Sequence, residues 1–192
     1  MDGTPRFKLA FIGTHGVGKT TLCYGLAARL KARDASVDVV HEVARRCPLP
    51  INESTSVAAQ SWIFHTQIAE ELVAAARYPI VVCDRSVLDN YVYMLLAAGR
   101  QESLEDLLAE WMAGYDLLVH VPIVDIPSPD GFRSPDPSFQ RAVDERLGRE
   151  LRERGLAAME LDPATRGGWL TAVECEVWRR IAPAQLSLLP GI

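Results

Sequence analysis

Apolar residues fall into two patterns along the chain. Five short runs, Phe7 to Ile12, Val37 to Val40, Ile80 to Cys83, Leu117 to Val121 and Leu156 to Leu161, are each broken by at most one polar residue. Runs of that length with so little alternation predict strands covered on both faces, as in a parallel sheet. Between them apolar residues return every third or fourth position, as on a buried helix face. Leu22, Leu26 and Leu30 mark a helix opened by Gly18. Val57, Phe64, Ile68, Leu72 and Ala75 share one face of a helix from about residue 56 to 77. Two helices at about 87–98 and 103–112 are separated by Gly99. Phe139, Val143, Leu147 and Leu151 lie on a helix that Asp136 caps, Pro137 starts and Gly155 stops, and a last helix covers Leu170 to Ile181. Five strands alternating with helices predict an α/β fold: a five-stranded parallel sheet flanked by helices and joined by right-handed crossovers.

Composition limits what such a sheet could serve. With 192 residues and 48% hydrophobic content, one globular domain over residues 1–192 is expected, large enough to bury its own core. The formal net charge of −5 draws the chain toward neither nucleic acid nor an anionic membrane and suits a small-molecule partner, while leaving room for a homodimer. Cys23, Cys47, Cys83 and Cys175 match no zinc or redox spacing, so free, mostly buried thiols are expected. The first apolar run is too short for a signal peptide or a membrane span, and a reducing, cytoplasmic setting is inferred.

The chemistry concentrates where strands end. Gly13-Thr14-His15-Gly16-Val17-Gly18-Lys19-Thr20 follows the first strand and opens a helix that continues through Thr21. It satisfies the phosphate-loop pattern in full, in the context that the mechanism requires. Its glycines let backbone N–H groups approach a phosphate, Lys19 offers charge to β/γ oxygens, and Thr20 is a candidate Mg²⁺ ligand. Asp84 ends the third strand, at the rim where open α/β sheets collect ligands, and is a second candidate for Mg²⁺. Arg85 follows with a planar fork suited to phosphate, and Ser86 is placed to cap the next helix. Glu42 closes the second strand at the same rim and is a candidate base, beside Arg45 and Arg46 as candidate acceptor contacts.

With these elements in place, the chain resembles the nucleoside and nucleotide kinases of the P-loop class. Its middle third looks especially like the deoxynucleoside kinases. That resemblance implies Glu42, in Val-Val-His-Glu-Val, as general base and Trp62-Ile63-Phe64-His65-Thr66-Gln67 as the base-reading helix, with Gln67 on the nucleobase edge. It also implies Asp84-Arg85-Ser86 as an Mg²⁺-linked carboxylate with a phosphate-binding arginine, and Arg166 as an adenine-stacking residue. The proline that usually follows the strand-two Glu is Val43 here. A second resemblance is carried by Asp130-Gly131-Phe132-Arg133, which is similar to the Asp-Gly-x-Arg lid motif of ribosylnicotinamide kinase domains and AAA-type ATPase relatives.

Residues 122–137 hold five prolines and form the longest irregular stretch, and with the following helix they are expected to make a lid over about residues 122–155. Arg133 and Arg141 are its candidate catalytic arginines. The leading expectation is therefore an Mg·ATP-dependent kinase acting on a nucleoside, nucleotide or similar small molecule, with either Glu42 or Asp84 as base. Two alternatives stay open: a regulatory P-loop ATPase acting through a partner, and a polynucleotide 5′-hydroxyl kinase. None of the three lysines sits in the Asn/Thr-Lys-x-Asp context of a guanine-specific switch.

Overall fold

Five parallel strands carry the molecule: β1 (Phe7–Ile12), β2 (Val37–Val40), β3 (Ile80–Asp84), β4 (Leu117–His120) and β5 (Met159–Glu160), in the spatial order β2-β3-β1-β4-β5. The computed structural model describes residues 6–124 and 136–181. Asp130, Arg133 and most of the proline-rich stretch lie outside those residues. Because β1 is central, the chain leaves it toward one side for β2 and β3 and returns on the other for β4. This is the reversal that opens a crevice at the carboxyl ends of the strands. Pairing Phe11 with Asp84 and Ile12 with His120 brings the loop after β1, the end of β3 and the end of β4 to one rim.

Both sheet faces are covered, as the apolar runs require. Alternate residues Leu9, Phe11, Val82 and Val119 pack under α1 (Lys19–Lys31) and α6 (Trp169–Ile181). Ala10, Ile12, Val81, Cys83 and Leu118 face the other way. They meet α2 (Val57–Arg77), α3 (Val87–Ala98), α4 (Glu102–Met112) and α5 (Pro137–Glu153). Two caps foreseen from side-chain type form, Ser86 accepting from Asp89 N–H and Asp136 from Ser138 N–H, and Ser56 adds a third by accepting from Ala59 N–H.

Two expectations are corrected. The last strand is only Met159–Glu160, paired on one side to Val119 and His120, because Leu156 and Ala158 turn onto the helical layer instead of joining the ladder. The buried face of α2 is also rotated from the expected one. Val57 and Leu72 are exposed, whereas Gln60, Ile63, Phe64, Gln67, Glu71 and Ala74 are buried. The polar members are tolerated because they are hydrogen-bonded: Glu71 accepts from Lys8 Nζ at 3.0 Å, Gln67 Nε2 at 2.9 Å, Trp111 Nε1 at 2.7 Å and Tyr115 OH at 2.6 Å. Lys8 also lies over the Trp111 and Tyr115 rings, and together they fasten α2 to β1 and α4. Of the thiols, Cys23 and Cys83 are buried, Cys47 is partly covered and Cys175 is exposed, all free.

At the β4 end, His120 sits between Glu160 on β5, 2.5 Å from Nδ1, and Asp144 on α5, 3.3 Å from Nε2. Burial alone would lower its pKa, but the two carboxylates raise it to about 9. A histidine whose folded pKa lies above its unfolded value stabilises fully below the unfolded pKa, here near 6.5, and that contribution fades as pH rises through about 9. Denaturant midpoints measured across this window should therefore decline with pH, and His120→Asn should flatten the decline. An unchanged slope in the variant would show that the carboxylate clasp contributes nothing to stability.

Candidate active site

The loop after β1 is built to hold an anion. Gly13, Gly16 and Gly18 all adopt positive φ, at 136°, 79° and 95°. A Cβ on Gly13 would stand 2.6 Å from the Val121 carbonyl oxygen, so the loop closes onto β4 only with glycine there. Gly18 gives α1 no side-chain cap, and the first turn has no acidic residue. The leading N–H groups of the helix are thus left to a ligand, with the positive end of the helix dipole behind them. Thr14, His15 and Val17 are buried in the loop, Val17 packing into the core beneath it, and Thr21 is exposed on the first helical turn.

Lys19 folds back over this loop, donating from Nζ to the carbonyls of Gly13 at 2.9 Å and Thr14 at 2.5 Å. Burial, followed by the nearby Arg85 charge, lowers its pKa to about 8. Opposite, Thr20 Oγ1 donates to Asp84 Oδ2 at 2.6 Å, and burial pushes the Asp84 carboxyl above its ordinary range despite the Lys19 charge. A hydroxyl and a desolvated carboxylate in contact at a phosphate loop fit a hard cation that takes few protein ligands and completes its shell with water and phosphate oxygens. No group of three or more His, Cys, Asp or Glu able to hold a metal occurs among the described residues.

Arg85 is the hub of the site. Its backbone takes φ 95°, in the left-handed region, and is held there from two sides: its N–H bonds the Phe11 carbonyl at 3.2 Å, and its own carbonyl accepts from Gln67 Nε2 at 3.3 Å. The buried guanidinium donates from Nε to Glu42 Oε1 at 2.8 Å, lies 3.8 Å from Asp89 Oδ1 and sits over the Tyr93 ring at 5.2 Å. Asp89 in turn accepts from Gly13 N–H at 2.9 Å and from the Ser86 N–H and hydroxyl, tying the phosphate loop to the start of α3. Burial would raise the Glu42 pKa, but the Arg85 and Lys19 charges, with hydrogen bonds from Arg85 and Arg45, hold it well below the usual carboxylate range.

Two cavities meet at this hub. One is small and polar, lined by Gly16, Gly18, Lys19, Thr20, Glu42, Asp84 and Arg85. The other is partly open and is bordered by Ile51, Gln60, Ile63, Asn90 and Tyr93, and it too reaches Glu42 and Arg85. Arg45 lines this second cavity and bonds Glu42 at 2.8 Å, whereas Arg46 pairs with Glu70 outside it. Trp62 and Gln67 line neither: Trp62 is half-buried, and Gln67 is fully buried, its Nε2 donating to Glu71 and the Arg85 carbonyl while its Oε1 has no partner among the described residues. The glutamine that borders the cavity is Gln60, seven residues or two turns earlier on α2. Arg141 is exposed in the early turns of α5, Arg166 is exposed in the turn after β5, and Arg133 is outside the described residues.

Sequence patterns alone passed over several participants. Asp89 was open to detection, since Ser86-x-x-Asp89 has capping-box spacing. Asn90, Tyr93 and Gln140 carry no such signal. Gln140 Nε2 donates to the His15 carbonyl at 2.9 Å across 125 residues of sequence and docks α5 on the phosphate loop. A bound polyphosphate should raise the pKa of Lys19 from about 8, so ADP binding at about pH 8.5 should take up protons and weaken as pH climbs further. Calorimetry in buffers of different ionisation enthalpy measures this uptake. It should vanish in Lys19→Ala, and zero uptake in the unaltered chain would remove Lys19 from the phosphate site.

Comparison with known proteins places this geometry. Solved structures that share the fold include a NadR protein in complex with NR, at 22% identity and a TM-score of 0.75 over 96% of this chain and 54% of that one, and a NadR protein in complex with NAD and AMP-PNP, at 21% identity and a TM-score of 0.70 over 97% of this chain and 52% of that one. The chain thus spans about half the length of either. No curated protein matches it. A family model described as an AAA domain matches residues 8–167, which takes in the phosphate loop, the Asp84-Arg85 hub and α5. By that match and by its phosphate loop on a five-stranded parallel sheet, the chain belongs to the AAA domain family of P-loop nucleotide-binding proteins.

Proposed function

We propose that the chain is an ATP-dependent kinase that transfers the γ-phosphoryl group to a hydroxyl of a small nucleoside-like acceptor. One observation carries this reading: the polar cavity at the phosphate loop and the larger, partly apolar cavity share Glu42 and Arg85 as their common wall. A switch ATPase needs only the first, whereas a phosphotransferase needs two sites meeting at one reacting position. The likeness to NadR structures whose ligands include NR and AMP-PNP supports the same arrangement.

In this mechanism the free N–H groups of α1 and the Lys19 ammonium bind the donor phosphates, and Arg85 balances charge on the transferring group. Thr20 and Asp84 would hold Mg²⁺, which supplies charge neutralisation at the β- and γ-oxygens when bound. Glu42 accepts a hydrogen bond from the acceptor hydroxyl and orients it. Its strongly lowered pKa makes it a weak base, but a loose phosphoryl-transfer transition state demands little proton removal before the bond to phosphorus forms. Asp84 has the more basic carboxylate but is engaged by Thr20. Glu42 pairs with both Arg45 and Arg85, and Asp89 lies 3.8 Å from Arg85, so two carboxylates offset the two guanidiniums at the acceptor cavity, which favours a nucleoside over a nucleoside monophosphate. Arg141 and Arg133, with residues of the proline-rich stretch, would close over the donor as a lid.

Incubating the chain with Mg·ATP and a panel of nucleosides, ribosylnicotinamide and nucleoside monophosphates, followed by mass spectrometry, tests the reading. Phosphorylated nucleosides are expected, and phosphate release without any phosphorylated acceptor would favour the switch ATPase instead. Glu42→Gln should cut turnover by roughly 10²-fold or more. In the unaltered chain the rate should hold through the usual carboxylate range as pH is lowered, because Glu42 stays ionised there. If Glu42→Gln turns over at the full rate at every pH, Glu42 has no part in handling the acceptor proton.

A further inference from the structure

Two side-chain amides from different helices border the acceptor cavity with bonding capacity unused. Gln60, in the first turn of α2, donates from Nε2 to Thr55 Oγ1 at 2.8 Å, but its Oε1 is buried and has no hydrogen-bond partner among the described residues. Asn90, one turn into α3, is equally buried, and its Nδ2 likewise has no partner among them. Both residues are 3% exposed, so bulk water does not supply the missing bonds. Orphaned buried polar groups are rare in folded proteins, and two on one cavity call for a ligand that completes them.

The surroundings define what such a ligand carries. Ile51, Ile63 and the Tyr93 ring form an apolar wall beside the amides, suited to a flat ring. The charged lining residues are already compensated where the cavity meets the phosphate site: Glu42 pairs with both Arg45 and Arg85, and Asp89 behind them lies 3.8 Å from Arg85. A carboxylate placed against Gln60 and Asn90 would therefore meet no spare cation, and a purely apolar ring would leave both amides unsatisfied. We infer that Gln60 and Asn90 are specificity-determining residues that select an acceptor whose ring carries a neutral amide edge, its carbonyl accepting from Asn90 and its N–H donating to Gln60. The inference rests on the nucleoside-acceptor reading above and names the acceptor class within it.

Two matched pairs of probes test it with the chain as it stands in the presence of Mg·ATP. Uridine against 3-methyluridine replaces the ring N–H donor by a methyl group. A ribosyl pyridine carboxamide against the corresponding ribosyl pyridine carboxylate replaces the neutral amide by a charge. The amide member of at least one pair should show a KM lower by roughly tenfold or more than its partner. Asn90→Leu and Gln60→Leu should raise KM for the preferred amide by a similar factor, leave kcat within about twofold, and erase the preference. Melting of the ligand-free Asn90→Leu variant should be unchanged or raised, because an unsatisfied amide has been exchanged for an apolar group of similar size, an outcome that a structural role would not give. Should either leucine variant fail to fold, Asn90→Asp, which keeps the shape and removes the donor, must show the same loss of preference. Equal KM values within both pairs, or an unaltered preference in the variants, overturns this inference and leaves the kinase reading intact. If none of the probes is bound or phosphorylated, the nucleoside-acceptor reading falls and takes the inference with it.

Discussion

A buried guanidinium organises the rim of this sheet. Arg85 stands at the end of β3 with its charge out of water, and such a charge is tolerated only where counter-charges and hydrogen bonds surround it. Glu42 from the end of β2, Asp89 from α3 and the Tyr93 ring supply that shell. Because Asp89 also holds Gly13 N–H, the demand made by one arginine fixes the phosphate loop relative to three other elements. Removing one partner of such a buried pair typically costs about 3–5 kcal/mol, which makes the hub a point where fold and site share the same interactions.

The left-handed backbone at Arg85 is part of the same arrangement. A non-glycine residue at φ 95° carries strain on the order of 1–3 kcal/mol and persists only if its surroundings hold it. Gln67 does so from α2 by donating to the Arg85 carbonyl, and Glu71 fixes the Gln67 amide in turn. The chain of contacts continues through Lys8, Trp111 and Tyr115 to the opposite end of the sheet. The polar residues that interrupt the apolar face of α2 thus support the left-handed backbone at Arg85 from behind. Gln67 holds backbone and borders no cavity, whereas Gln60, two turns earlier, borders the larger one.

Much of the molecule follows from the order of residues. Short apolar runs covered on both faces dictate a parallel sheet, and the glycines of residues 13–18 dictate a loop whose backbone can surround an anion. Lys19, Thr20, Asp84, Arg85 and Glu42 were identifiable because strand ends and a helix start have local signatures that place side chains at one rim. Apolar spacing failed on α2, where it counted Val57 and Leu72 as buried and passed over Gln60 and Glu71. Periodicity weighs transfer from water and is blind to a buried carboxylate with four donors.

What only the tertiary structure decided are the relations between residues far apart in sequence. Gly13 and Asp89, Glu42 and Arg85, and His15 and Gln140 are each joined by a hydrogen bond across at least 43 residues. Gln60 and Asn90 come to one cavity only because α2 and α3 pack side by side on the same sheet face. No local propensity encodes such a meeting, since it depends on how whole elements pack. The sequence by itself determined the sheet, the phosphate loop and the identity of the charged groups at its rim. Tertiary packing decided which of those charges compensate one another and which amides border the cavity, because electrostatic compensation and burial exist only once distant segments share the same space.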